Sequence, residues 1–121
     1  MRIIVKNGIK AAVIEKTETI GNAQDILDII ASAYYMYDCD GLIVYEECLG
    51  SRFFDLKTGY AGEVLQKFSN YGMKLAIIGR FNRYPGKSLH DFIYECNQGN
   101  LVFFKETEEA GLDAFRIRNS H

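Results

Sequence analysis

Leu42-Ile43-Val44-Tyr45, Leu75-Ala76-Ile77-Ile78-Gly79 and Leu101-Val102-Phe103-Phe104 are the runs that decide the fold. Each is continuously apolar, without the alternation of a strand wetted on one side. Continuous runs of this length fit strands of a parallel sheet that is covered on both faces. Helical periodicity fills the intervals. Tyr60, Ala61, Val64, Leu65 and Phe68 follow the i, i+1, i+4, i+5, i+8 spacing of one helix face. Asn70-Tyr71-Gly72 closes that helix with a glycine suited to the position just past its end. Leu89, Phe92, Ile93 and Cys96 give the next helix a buried side, with Ser88 to Asp91 outlining a capping box and Gly99 as the stop. Upstream, Ile26, Leu27, Ile29, Ile30, Ala33 and Tyr34 form a wide apolar face behind Asn22, a candidate N-cap. Downstream, Thr107 caps a short last helix that ends near Phe115.

The chain opens on two β-type runs, 2–6 and 9–15, joined by Asn7-Gly8. Asn-Gly tolerates positive φ at both turn positions and is a strong hairpin signal. The order ββαβαβαβα follows. It implies an α/β fold with a mainly parallel central sheet of about five strands, four helices and right-handed crossovers. The N-terminal β-hairpin forces one antiparallel edge. A chain of 121 residues suits a single domain over 1–121, and no linker, repeat or low-complexity stretch divides it.

Hydrophobic residues make up 48% and charged residues 25%, enough apolar material for a core. Disorder is expected only at the end, where Arg116, Arg118, Asn119, Ser120 and His121 follow the last apolar stretch. The formal charge is −2 and no Lys/Arg cluster stands out, so the basic stripe that nucleic acid requires is missing. No apolar run approaches the length of a bilayer span, which excludes a membrane partner. Met1 to Lys6 read as a strand rather than a signal peptide, and a cytoplasmic location is expected. Cys39, Cys48 and Cys96 are odd in number and widely spaced, which argues against a disulfide framework. None has the spacing of a zinc site. Free thiols, no metal and no cofactor are expected.

Two groups of residues are candidates for a site. Asp55, Lys57, Thr58 and Gly59 open the second helix, where unpaired N–H groups and the helix dipole favour an anion. Thr58 is a possible phosphoacceptor there, or the loop holds a phosphate or carboxylate; capping by Asp55 or Thr58 explains the same residue types. Glu46 and Glu47 follow one strand, and Arg80 and Lys105 follow the next two. Ligands of α/β sheets gather beyond the carboxyl ends of the strands. A carboxylate pair facing an arginine can bind a polar ligand or move a proton; solvated surface ion pairs are the alternative. A third arrangement, His90 with Cys48, would need hydrogen-bond contact to act as a nucleophile pair, and His90 otherwise reads as a surface helix histidine. Tyr35, Tyr37 and Tyr84 are harder to place inside, and exposed tyrosine is enriched at interfaces.

The segment Phe54-Asp55-Leu56-Lys57-Thr58-Gly59, its helix, Tyr71-Gly72 and the strand Leu75-Ala76-Ile77-Ile78-Gly79 resemble the centre of STAS domains. That is the fold of bacterial anti-sigma-factor antagonists and sulfate-transporter tails. In the antagonists the phosphorylated serine lies two residues after an Asp and directly before a Gly; Thr58 directly precedes Gly59 but lies three after Asp55. Over nearly the whole chain the sequence also resembles an uncharacterised bacterial family, domain of unknown function 4180. Phe53 to Gly59, Ala61-Gly62-Glu63, Leu65-Gln66-Lys67-Phe68, Asn70-Tyr71, Lys87-Ser88-Leu89 and Asp91 to Glu95 followed by Asn97 carry that likeness. The resemblances imply a STAS-like fold and supply no activity.

With no Gly-rich phosphate loop, metal-ligand spacing or nucleophile elbow, the first expectation is a non-enzymatic regulatory or protein/ligand-binding module. Its partner would be a protein or a second copy of the chain. The alternative is a small enzyme or small-molecule-binding protein that uses Glu46, Glu47, Asp55 and Arg80 at the strand ends. A purely structural homo-oligomer is a third class.

Overall fold

A computed structural model describes residues 1–116; the chain end for which disorder is expected lies, apart from Arg116, outside the described residues. Arg2–Lys6 (β1) and Ile9–Ile14 (β2) form the expected antiparallel hairpin. Asn7 at φ 55° and Gly8 at φ 81° supply its turn. Then come Ala23–Tyr35 (α1), Gly41–Tyr45 (β3), the one-turn helices Glu46–Leu49 (α2) and Ser51–Phe54 (α3), Tyr60–Tyr71 (α4) and Lys74–Ile78 (β4). Lys87–Gln98 (α5), Val102–Lys105 (β5) and Glu108–Ala114 (α6) complete the order. The five strands lie side by side in sequence order, and β2 to β5 are mutually parallel. The mainly parallel sheet, the hairpin edge and the four longer helices agree with the sequence. The two one-turn helices after β3 are additional: Glu46–Phe54 carries too few residues for a readable period.

The two faces of the sheet are covered differently. On one, Ala12, Ile14, Leu42, Val44, Leu75 and Ile77 pack against Ile26 and Ile30 of α1, Val64 and Phe68 of α4 and Leu89 of α5. On the other, Ala11, Val13, Ile43, Ala76 and Phe103 meet Leu112 of α6 and Phe115 just beyond it. The apolar runs are continuous because both neighbours of every central residue are protein. A fully buried Leu, Ile or Phe contributes about 1.5–3 kcal/mol, so these two layers are the main source of stability. Fixing α6 across the second face are ion pairs from Arg2 to Glu108 (3.0 Å) and from Lys6 to Glu109 (3.0 Å) and Asp113 (3.2 Å).

Local signals set the helix ends. The Asn22 side chain accepts from the Asp25 backbone N–H at 2.9 Å, and Thr107 accepts from that of Ala110 at 3.1 Å. The capping box expected at Ser88 does not form. α5 starts two residues earlier, at Lys87 after Gly86, and Asp91 is held instead by Lys87 at 2.6 Å on the same face.

Candidate functional site

The carboxyl ends of β3 and β4 carry the one buried charged side chain among the described residues. Glu46, the first residue past β3, is 6% exposed. Its Oε1 accepts from the backbone N–H of Arg80 at 3.0 Å; its Oε2 accepts from Arg83 Nη2 at 2.6 Å and from the Tyr84 hydroxyl at 2.5 Å. Burial, then the bond to Glu46, pushes the Tyr84 phenol above its ordinary range. The carboxylate crosses directly over Gly79: a Cβ there would stand 2.6 Å from the Glu46 carboxyl carbon. A buried charge must be paired and hydrogen-bonded, and here three donors from one loop, 80–84, supply that pairing. Glu46 therefore fastens the loop between β4 and α5 to the end of β3.

That loop separates two hollows. On one side is a polar cleft of about 250 Å³, whose lining includes Lys16, Glu46, Glu47, Arg80, Arg83 and Glu106. On the other is a larger groove of about 520 Å³ between the segment 54–57 and the start of α5, lined by Phe54, Leu56, Pro85 and Leu89 together with Asp55, Lys57 and Ser88. An aromatic wall stands between them. Phe54 stacks on Tyr84 with centroids 4.8 Å apart, and Phe81 meets Phe104 edge-on at 5.1 Å. His90 Nε2 lies 2.6 Å from the Tyr84 carbonyl oxygen, anchoring α5 to the same loop.

The turn leading into α4 is built from its own side chains. Asp55 accepts from the Lys57 backbone N–H at 3.2 Å. The Thr58 hydroxyl lies 2.9 Å from the carbonyls of both Arg52 and Asp55, to which it donates, and accepts from the Tyr60 N–H at 3.1 Å. Gly59 takes φ +76°, which a side chain would strain. Above it, the Arg52 guanidinium lies over the Tyr60 ring at 4.0 Å.

A family model described as Domain of unknown function (DUF4180) matches residues 6–114. The chain belongs to this family. No curated protein and no solved structure matches it.

In this DUF4180 chain the site residues expected from the sequence divide into two places. Glu46, Glu47 and Arg80 line the polar cleft together. Asp55 and Lys57 line the groove beyond the aromatic wall. Thr58 and Gly59 sit on the exposed turn beside it. The two carboxylates differ in setting: Glu46 is buried and bonded, whereas Glu47 is exposed. Arg83 and Tyr84, which hold Glu46, are not legible as its partners in the sequence, where Tyr84 reads only as an interface tyrosine; it is half-buried. The one signal in their favour was the glycine at 79, which leaves space for a side chain from a neighbouring strand end.

The DUF4180 thiols are not assembled for nucleophilic work. Cys48 donates to the Glu15 carbonyl at 3.3 Å, while His90 is engaged with Tyr84. Burial pushes the Cys39 and Cys48 thiols up, and that of Cys96 up to about 11. A thiol raised by burial stays protonated near neutral pH, whereas the thiolate is the nucleophile. All three cysteines are free. Among the described residues no three His, Cys, Asp or Glu side chains gather as a metal-ligand set, and no helix is long and apolar enough to cross a membrane.

Proposed function

We propose that this domain is a non-enzymatic, cytoplasmic binding module whose recognition surface is the groove between residues 54–57 and the first turn of α5. The observation that carries this reading is the groove itself. It offers about 520 Å³ of space over an apolar floor of Phe54, Leu56, Pro85 and Leu89, with Asp55, Lys57 and Ser88 at its edge. Apolar lining with a few convergent polar groups is the usual make-up of a ligand site. Support also comes from Glu46. Its carboxylate is committed to three donors, and its work is to fix the loop that walls the groove. Rigid support of this kind reduces the ordering cost of binding. Two of the several segments through which the sequence resembles its family, 53–59 and 87–89, contribute lining residues to the groove. The resemblance to anti-sigma-factor antagonists lends the regulatory side of the reading its motive: Thr58, on the exposed turn at the groove's edge, is where a modification would alter the surface a partner meets.

The test is a screen of small apolar and amphipathic fragments against isotope-labelled protein, read as amide chemical-shift changes. Binding should move the resonances of 54–57 and 86–89 together, and Leu56→Asp should abolish the response while the protein stays folded. Shifts confined to Lys16, Glu47, Arg80 and Glu106 would move the site to the polar cleft and overturn the assignment.

A further inference from the structure

We propose that the polar cleft at the carboxyl ends of the parallel strands is a second ligand site, built for a small zwitterion of the free α-amino acid class. All four parallel strands send a charged residue to this cleft: Lys16 lies two residues past β2, Glu47 two past β3, Arg80 two past β4 and Glu106 one past β5. The strands lie side by side in that order, so the charges run positive, negative, positive, negative along the end of the sheet. The carboxyl ends of parallel strands are where α/β folds gather ligands. All four side chains are exposed, and none forms an ion pair or a side-chain hydrogen bond with a described residue. Elsewhere on the surface, opposite charges placed together have closed on each other: Arg2 on Glu15 and Glu108, Lys6 on Glu109, Lys87 on Asp91. Around the cleft they stand apart, about a hollow of about 250 Å³.

The two cations are held where they stand. Lys16 Nζ lies 5.0 Å from the centroid of the Tyr45 ring, whose π face attracts it, and the Tyr45 hydroxyl is fixed in turn by Glu108. Arg80 is anchored through its backbone N–H, which donates to Glu46 at 3.0 Å. The charge of the lining names the occupant. Glu46 and Arg83 neutralise each other at 2.6 Å, which leaves two open cations and two open carboxylates. A simple anion would meet Glu47 and Glu106 as well as Lys16 and Arg80, and a simple cation would meet the reverse. A divalent metal finds no ligand set among the described residues, and both Glu46 oxygens already accept. A ligand with one carboxylate and one ammonium satisfies both signs: the carboxylate turns to Lys16 and Arg80, the ammonium to Glu47 and Glu106. Complementarity of this kind sets specificity, because a ligand with one charge missing leaves a protein charge unanswered. The volume falls below the roughly 300–1,000 Å³ of pockets for drug-sized ligands, which suits a single amino acid. This inference is independent of the groove, which lies beyond the aromatic wall and has an apolar floor.

Titration of the isotope-labelled full chain with glycine, L-alanine, L-serine, L-threonine and L-glutamine, read as amide chemical shifts, tests it. At least one should give a saturable shift at millimolar concentration or below, at Lys16, Glu47, Arg80 and Glu106 and not at 54–57. For that amino acid, the N-acetyl derivative lacks the cation and the primary amide lacks the carboxylate, and each should bind at least about tenfold more weakly. Arg80→Gln and Glu47→Gln should each weaken binding at least about fivefold. Both side chains are exposed and without a described partner, so the far-UV spectrum should not change. No saturable shift with any of the five amino acids overturns the proposal. So does a derivative that binds as tightly as its parent, since one charge would then suffice, or unaltered binding in both variants. Inorganic phosphate that binds at the same residues as tightly as the amino acid overturns it in favour of a plain anion site. Should either variant fail to fold, the comparison of derivatives on the wild-type chain decides the question alone.

Discussion

The contact between Glu46 and Gly79 lends itself to a double-mutant cycle. In Glu46→Ala, the Arg80 N–H and the Tyr84 hydroxyl lose their acceptor in partly buried surroundings. Each such donor costs about 1–3 kcal/mol when left unsatisfied. Arg83 is mostly exposed, so its ion pair adds little. The expected loss is about 2–4 kcal/mol. Gly79→Ala acts through the same group from the other side. Its Cβ would stand 2.6 Å from the Glu46 carboxyl carbon and 2.8 Å from Cγ, so the carboxylate must leave its donors, at a cost of about 1–3 kcal/mol. The three heavy atoms nearest that Cβ all belong to Glu46. Once Glu46 is alanine, Gly79→Ala should therefore cost nothing further, and can gain about 0.4–1 kcal/mol by restricting the unfolded chain. The coupling should reach about 2 kcal/mol. Urea unfolding followed by far-UV circular dichroism, at an unchanged m value, measures all four corners. If the two single losses instead add to within about 0.5 kcal/mol, the sites are independent and Glu46 does not hold the loop as described.

Thr58→Ala should lower stability by about 0.5–2 kcal/mol in the same assay, because the Tyr60 N–H loses its cap; Thr58→Glu should stay folded, and if the turn is a regulatory surface it should alter binding at the groove while Thr58→Ala does not. The bonds to Arg2 hold the Glu108 carboxyl below the usual carboxylate range. A depressed carboxylate stabilises the fold above its unfolded pKa, so stability should fall as pH drops below about 4, and Arg2→Ala should flatten that fall in acid titrations followed by circular dichroism. Tyr45 has the opposite sign: burial, then its bond to Glu108, raises its phenol to about 12, so its contribution is complete below the ordinary tyrosine value of about 10 and is lost as pH rises toward the shifted one. Tyrosinate absorbance should show a late-titrating component, to which Tyr84 also contributes, that shrinks by one group in Tyr45→Phe. Cys96, half-buried, should react with a disulfide reagent more slowly than a free thiol at neutral pH, and faster in urea; labelling in buffer as fast as a free thiol would contradict the upward push on its thiol.

The strands were legible because they are continuous apolar runs, and 42–45, 75–78 and 102–104 all lie in the observed sheet. The hairpin was legible because Asn7-Gly8 is a local signal. Much of the site was not. Glu46 and Glu47 are adjacent and chemically identical, so nothing local says that one is buried and the other exposed. The difference arises from Gly79, Arg83 and Tyr84, which lie more than thirty positions away along the chain. Thr58 shows the same ambiguity at shorter range. A threonine before a glycine at a helix start suits a cap and a modified residue alike, and the observed hydroxyl, exposed yet bonded, is compatible with both.

The sequence-order arrangement of the sheet has a consequence for how the chain reaches its native state. Each parallel strand pairs with the one made just before it: Ala11 meets Gly41, Gly41 meets Lys74, and Leu75 meets Val102. Each of the three parallel pairings thus closes a loop of roughly thirty residues, a moderate entropic cost that repeats rather than grows. The helix-covered layer can accordingly be added one unit at a time, in the order in which a ribosome delivers it. α6 is the exception, since its ion pairs join it to β1 at the far end of the chain. Pulse-labelled refolding should find β2 to β4 protected before the bonds between Arg2 and Glu108 close. Until that last contact forms, Ala11, Val13 and Ile43 are bare, and the half-made chain presents the same apolar face that the finished one conceals.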